Sequence, residues 1–230
     1  MCGRYTREYS WQELFDFLDD RFPGGVDSDR PEELDPSFNV APTQTSPVAH
    51  RDEDSGRAVI RLRRWGLIPH WAKEASIGSR MINARAETAA EKPAFRSAFS
   101  KRRCVVPISS FFEWEKIEGQ KTKQPWRFVR ADGDIILLAG LWDPPNEHAE
   151  RGTFTILTTQ ANEFMSRVHD RMPVILEPED ASTWCDPATS ADEAAKLLRP
   201  AADGVLTRHK VSTRVNTPKN NDPELIQEIR

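Results

Sequence analysis

The chain is short of cysteine. Cys2, Cys104 and Cys185 are all it carries in 230 residues, an odd number at wide spacing. With no CxxC pair, neither a disulfide framework nor a zinc site is indicated, and no metal or organic cofactor is expected. Long apolar runs are missing as well. Nothing approaches the ~18 apolar residues of a membrane span, and the N-terminal segment lacks the apolar core of a signal peptide. A cytoplasmic protein with no membrane partner is expected, in a reducing compartment that suits free thiols. Positive charge is not in excess either. The net charge of −4 argues against indiscriminate coating of nucleic acid, although a local basic groove remains open. No repeat and no linker divides the sequence, so one domain of mixed α and β over residues 1–230 is expected.

What is present begins at Met1-Cys2-Gly3-Arg4-Tyr5. Methionine is clipped readily before a small side chain, and its loss would leave an α-amine and a thiol on Cys2. These titrate near ~8 and ~8.5, so both keep a nucleophilic fraction at neutral pH. Such a 1,2-aminothiol can capture an aldehyde as a Schiff base and close it into a thiazolidine. The same residue could instead attack an amide carbonyl, as N-terminal nucleophile enzymes do.

Along the chain, Ser10 to Glu13 reads as a capping box opening a helix with Trp11, Leu14, Phe15 and Leu18 inward. Residues 26–37 are polar, acidic and proline-punctuated, a surface loop. Residues 47–51 and 58–64 form a hairpin, with Ile60 and Leu62 on an apolar face and Arg61 and Arg63 on a basic one. The stretch from Arg57 to Arg103 carries twelve Lys and Arg against Glu74, Glu87 and Glu91, which favours an anionic partner. Trp65 and Trp71 could each be core or a stacking platform for unpaired bases, and the platform reading competes better at Trp71. In extended backbone Asn83, Arg85 and Glu87 would line one side of a cavity. Alternation sets Glu113 on one face and Phe112 and Trp114 on the other. Among aromatics a carboxylate is disfavoured in its charged form, which makes Glu113 a candidate acid/base, with a surface glutamate as the alternative. His169, beside Asp170 and Arg171, is either a structural histidine or a tuned acid/base. Ser190 to Glu193 is a second capping box, and an amide-rich loop over residues 211–221 precedes a last short helix.

Eleven stretches in order carry a resemblance: MCGRY (1–5), FNVAPTQ (38–44), RWGLIPHWAK (64–73), INARAET (82–88), KPAFRSAF (92–99), RRCVVP (102–107), FFEW (111–114), AGLW (139–142), FTILTT (154–159), HDRMPVIL (169–176) and VNTPKNNDPELI (215–226). The chain resembles the SRAP family, the SOS-response-associated peptidase domain, over nearly its whole length. The resemblance implies an α+β fold with a β-rich, partly barrel-like core of mainly antiparallel strands flanked by helices. It implies a DNA-repair protein that senses abasic sites in single-stranded DNA and crosslinks to them covalently through Cys2, with self-cleavage removing Met1. Carried over, Asn83 positions the ring or sugar, Glu113 transfers protons, and His169 assists ring opening and crosslink reversal. Arg4, Asn39, Trp71, Arg85 and Thr158 contact the strand. A monomer, nucleoid-associated when bound to DNA, is expected. Ser110, Phe112, Glu115 and His70 depart from the family pattern. An N-terminal-nucleophile amidohydrolase or peptidase, and a non-covalent single-strand binding module, are the competing readings.

Overall fold

Strand residues that alternate between two apolar clusters set the architecture. The computed structural model describes residues 2–28, 34–52 and 54–229. β1 (Tyr5–Arg7) precedes α1 (Trp11–Asp19), which Ser10 caps. The Ser10 hydroxyl accepts the Glu13 N–H at 3.2 Å, and the Glu13 carboxylate accepts the Ser10 N–H at 2.7 Å. Leu14, Phe17 and Leu18 are the buried side of α1, while Trp11 and Phe15 pack only at the margin of the core.

The loop expected over residues 26–37 is strand at both ends, because each end finds a partner far along the chain. β2 (Val26–Ser28) runs parallel to a later strand with Val26 opposite Ala58, and β3 (Ser37–Val40) pairs with β1. Residues 29–33 of that stretch lie outside the described residues. The hairpin is present as β4 (Thr45–Arg51) and β5 (Ala58–Trp65), and the Asp52 carboxylate accepts the Ser55 N–H in its turn.

Next come β6 (Asn83–Arg85), α2 (Ala86–Ala89) and α3 (Arg96–Lys101), then β7 (Arg103–Ile108) and β8 (Ser110–Glu115). β9 (Gln124–Arg130), β10 (Ile136–Asp143) and β11 (Thr153–Gln160) follow. α4 (Glu163–Ser166), β12 (Arg171–Pro173), β13 (Ile175–Leu176), α5 (Pro178–Cys185), α6 (Ala191–Lys196) and β14 (Leu206–Lys210) complete the order. Ser190 caps α6 with the expected box, and the last short helix is a 3-10 turn, Pro223–Ile226.

Among the described residues the smaller sheet runs β14-β9-β8-β1-β3, antiparallel throughout. The larger runs β12-β11-β10-β7-β4-β5-β2, with β13 on β10 and β6 on β11. A parallel pairing of β11 with β5, Thr153 to Arg64 and Phe154 to Trp65, closes β5, β4, β7, β10 and β11 into a ring. This is the barrel-like part of an α+β fold. β7 shows the alternation plainly: Cys104, Val106 and Ile108 join the cluster shared with the small sheet, while Val105 joins the cluster under α1, α3 and α5. Each such side chain, fully withdrawn from water, contributes about 1.5–3 kcal/mol.

Trp65 is wholly buried in the shared cluster, with its indole N–H donated to the Ile82 carbonyl at 2.9 Å. After it Gly66 takes φ +114°, and a Cβ there would stand 2.5 Å from the Gly78 carbonyl oxygen. That backbone contact presses residues 75–80 against the end of β5; in the segment between, Leu67, Ile68 and Ala72 are buried and Trp71 stands on the surface. No helix among the described residues is long and apolar enough to cross a membrane.

Candidate active site

The N-terminal segment is placed by its own strand. Tyr5 stands opposite Phe111 in β8 and Val40 in β3, and its ring lies 4.9 Å from that of Trp65. The register of β1 with β8, continued by the Phe112 N–H to the Arg4 carbonyl at 3.0 Å, brings Glu113 opposite Gly3. Cys2 is therefore drawn into the shared apolar cluster and has no exposed surface. Asn83, from β6, donates its amide N–H to the Cys2 carbonyl at 2.8 Å. The other end of that amide, Oδ1, is buried with no hydrogen-bond partner among the described residues.

Glu113 is 2 % exposed, so it is no surface glutamate, and Phe112 and Trp114 pack on the opposite side of β8 as alternation requires. Burial, then the charge of Glu113, push the Cys2 thiol well above the usual thiol range. The free thiol near ~8.5 that the sequence suggests is thus corrected. At neutral pH this sulfur holds its proton until a base removes it. Cys2, Asn83 and Glu113 form one constellation.

His169 lies two strands across from Asn83, on the segment between α4 and β12. Its Nδ1 accepts the Arg171 backbone N–H at 3.0 Å and sits 2.9 Å from an Asp170 carboxylate oxygen. The backbone N–H needs a lone pair on Nδ1 and the carboxylate a hydrogen there, so the two contacts call for different tautomers of the ring. Arg171 ties this corner together. Its guanidinium grips Glu87 at 2.6 and 2.9 Å and also donates to the Thr158 carbonyl. Glu87 accordingly sits on α2 rather than in line with Asn83 and Arg85, and the hydrogen bond from Arg171 lowers its pKa. Sequence reading missed this clamp, although both residues fall inside recognised motifs.

The remaining candidates divide by exposure. Trp71 is 49 % exposed and, with Lys73, Ser76, Ile77 and Arg80, lines a hollow of about 300 Å³. Arg85 is exposed. Arg4 is half-buried, 6.0 Å from the Trp114 ring centroid, and borders a second hollow of about 450 Å³ with Lys121 and Lys123. Asn39 and Thr158 are buried. The Asn39 amide N–H groups donate to the carbonyls of Val215, Thr217 and Asn220, and its oxygen accepts from Arg4 at 2.7 Å. Asn39 therefore locks the C-terminal loop and aims Arg4, and presents no free polar atom of its own.

The basic stretch over residues 57–103 is not one face. Arg63 is 5 % exposed, so the basic side expected for β5 is largely interior. Arg57 pairs with Asp27, Arg102 with Asp143, and Arg103 donates to the carbonyls of Phe99, Trp184 and Thr189. Two of the departures have partners: Ser110 accepts from Arg127 at 2.9 Å, and Glu115 accepts the Trp126 indole N–H at 2.7 Å. No cluster of three His, Cys, Asp or Glu among the described residues could hold a metal ion.

A family model described as SOS response associated peptidase (SRAP) matches residues 1–218. The chain belongs to the SRAP family. It is similar to the abasic site processing protein YoqW of Bacillus subtilis (strain 168), 43 % identical over 99 % of both chains. It is also similar to the abasic site processing protein HMCES of Pongo abelii, 32 % identical over 86 % of this chain and 67 % of that one. The SRAP chain superposes on a crystal structure of a Bacteroides thetaiotaomicron protein with a TM-score of 0.84 at 26 % identity, over the whole of both chains.

Proposed function

We propose that this chain processes abasic sites in single-stranded DNA by forming a covalent thiazolidine through Cys2, once Met1 has been removed. Met1 lies outside the described residues, and its loss, by self-cleavage or otherwise, is the condition on which the chemistry depends. The observation that carries the proposal is the placement of Cys2 between the Asn83 amide and the buried Glu113, in an SRAP chain whose relatives are named for abasic-site processing.

An abasic sugar opens to an aldehyde at C1′. The Cys2 α-amine adds to that carbon to give a carbinolamine, and protonation of its hydroxyl by the Glu113 carboxyl expels one water and leaves the imine. The imine is still protonated on nitrogen; the Cys2 thiol gives its proton to the Glu113 carboxylate, restoring the carboxyl, and the sulfur adds to the imine carbon, leaving a neutral ring nitrogen. One C–N and one C–S bond are formed and one water is released overall. A thiol held protonated by burial needs such a base at this step, and none before it. Asn83 fixes Cys2 through its carbonyl and keeps Oδ1 for a hydroxyl of the sugar. His169, held at Nδ1 between the Arg171 N–H and the Asp170 carboxylate, serves ring opening and reversal. Trp71, Arg85 and Arg4 hold the strand, Asn39 acts through Arg4, and Thr158 acts through Arg171.

Intact-mass measurement tests this directly. The purified protein should lack the mass of one methionine residue. With an abasic single strand it should gain the strand's mass less one water. An adduct formed equally well by Cys2→Ala overturns the mechanism.

A further inference from the structure

The face of β8 that carries Glu113 continues across two more strands. Glu113 stands opposite Trp126 of β9, and Trp126 opposite Lys210 of β14. Directly opposed residues put their side chains on the same side of a sheet. The neighbouring row is Phe111, Phe128 and Arg208, with the two phenylalanine rings stacked at 5.0 Å. The Arg208 guanidinium lies 4.6 Å from the Trp126 ring centroid and 5.0 Å from that of Phe164, and the Lys210 ammonium is 5.5 Å from the same Trp126 ring. Two cations thus share one indole. The indole is held edge-on by Glu115 at 2.7 Å, and Arg208 by a single bond to the Phe164 carbonyl at 3.2 Å. Lys210 is exposed, on a strand at the edge of the sheet.

Cation–π contact fixes the two positive groups in direction without neutralising them. They repel one another, and among the described residues the carboxylate bonded to this group is Glu115, one negative charge against their two. Strands are about 5 Å apart, which sets Lys210 about 10 Å from Glu113, in line with it across the sheet. The Arg208 fork matches the oxygens of a phosphodiester, and Lys210 adds a point charge beside it.

We propose that Trp126, Arg208 and Lys210 form a phosphodiester subsite that holds the DNA strand beside the reacting sugar. It rests on the reading of Cys2 and Glu113 as the reacting centre. The subsite positions the strand and carries no base preference, as contacts to the backbone do.

The test is the salt dependence of binding to an intact single strand with no abasic site, for the wild type, Lys210→Gln, Arg208→Gln and Arg208→Lys. Each lost phosphate contact should make the slope of log affinity against log salt shallower by about 0.7. Both Gln variants should show that change, and Arg208→Lys should keep the wild-type slope. Wild-type slopes in both Gln variants overturn the subsite; Lys210 is exposed, so its variant is not at risk of misfolding. An intact strand forms no thiazolidine. An unchanged slope therefore removes the subsite alone, whereas failure of the wild-type chain to form the abasic adduct removes the Cys2 chemistry alone.

Discussion

Asn83 and His50 are polar side chains held at the same β-rich core, and the fold treats them in opposite ways. His50 is saturated. Arg63 can only donate, so the His50 Nε2 accepts from it at 2.9 Å, and Nδ1–H donates to the Arg51 carbonyl at 2.9 Å. Its ring also stacks on Trp142 at 4.1 Å, with the Arg63 guanidinium 3.9 Å from the same indole. Asn83 spends one end on Cys2 and leaves the other, buried, without a partner among the described residues. A buried polar group that serves the fold is satisfied by it, because an unmade hydrogen bond costs about 1–3 kcal/mol. One that keeps capacity in hand has an acceptor to offer a ligand, and Asn83 has it next to Cys2.

The sharpest way to break this comparison is at the carboxylate beside Cys2. Glu113→Gln keeps the shape and removes the group proposed to carry the proton. Adduct formation with an abasic strand, followed by denaturing gel, should slow by about 10²–10⁴-fold, the range of general acid–base catalysis. Unfolding by denaturant should move far less. A rate within twofold of wild type would return Glu113 to the same class as His50, a group kept for the fold.

The opposite signature is expected at His50. Burial, then the Arg63 charge, bring its pKa down to about 3 from an ordinary value near 6.5. The unfolded chain therefore binds this proton more readily than the native one. The contribution is fully present above pH ~6.5 and is lost as pH falls toward the folded value. By pH 4 the difference is on the order of 3 kcal/mol for this group alone. Chemical denaturation of wild type and His50→Gln between pH 7.5 and 4 should show a steeper acid loss for the wild type. Parallel curves would mean that His50 takes up its proton in the native state. His50 lies outside the reacting constellation, so the adduct rate per folded molecule at pH 7.5 should be the same in both.

Local chemistry was the legible part of this fold. The capping boxes at Ser10 and Ser190 and the hairpin of β4 and β5 are each decided within a few residues, and each is present. The face that Glu113 takes was readable for a similar reason, since Phe112 and Trp114 announce the opposite face of the strand, while its burial came only with the sheet. What escaped was long-range. Nothing near residue 5 says that it will pair with residue 111, and nothing near Asn39 says that carbonyls beyond residue 214 will occupy its amide. Arg63 reads as an exposed cation because β5 alternates. It is interior because β11 closes the ring over that side, a pairing with no local signal. Glu87 and Arg171 are 84 residues apart, and only the adjacency of β6, β11 and β12 joins them.

Trp65 and Trp71 repeat the comparison in apolar form and carry the smallest effect. They share one motif, six residues apart, and Gly66 separates their fates by turning the chain where it meets Gly78. Trp65 fills the shared cluster, so truncating it opens a cavity and loosens the whole fold. Trp71 is half-exposed beside Lys73 and Arg80, so Trp71→Ala should leave the unfolding midpoint where it is. Its loss should instead weaken binding of an intact single strand by about 1–3 kcal/mol, one stacked base, as read by anisotropy. Stacking is not ionic, and the deficit should therefore stay constant as salt is raised, unlike that of Lys210→Gln. A deficit that shrinks with salt would mean that Trp71 acts by placing its cationic neighbours rather than by meeting a base. An unfolding midpoint that falls with the affinity would place Trp71 with Trp65, as part of the core.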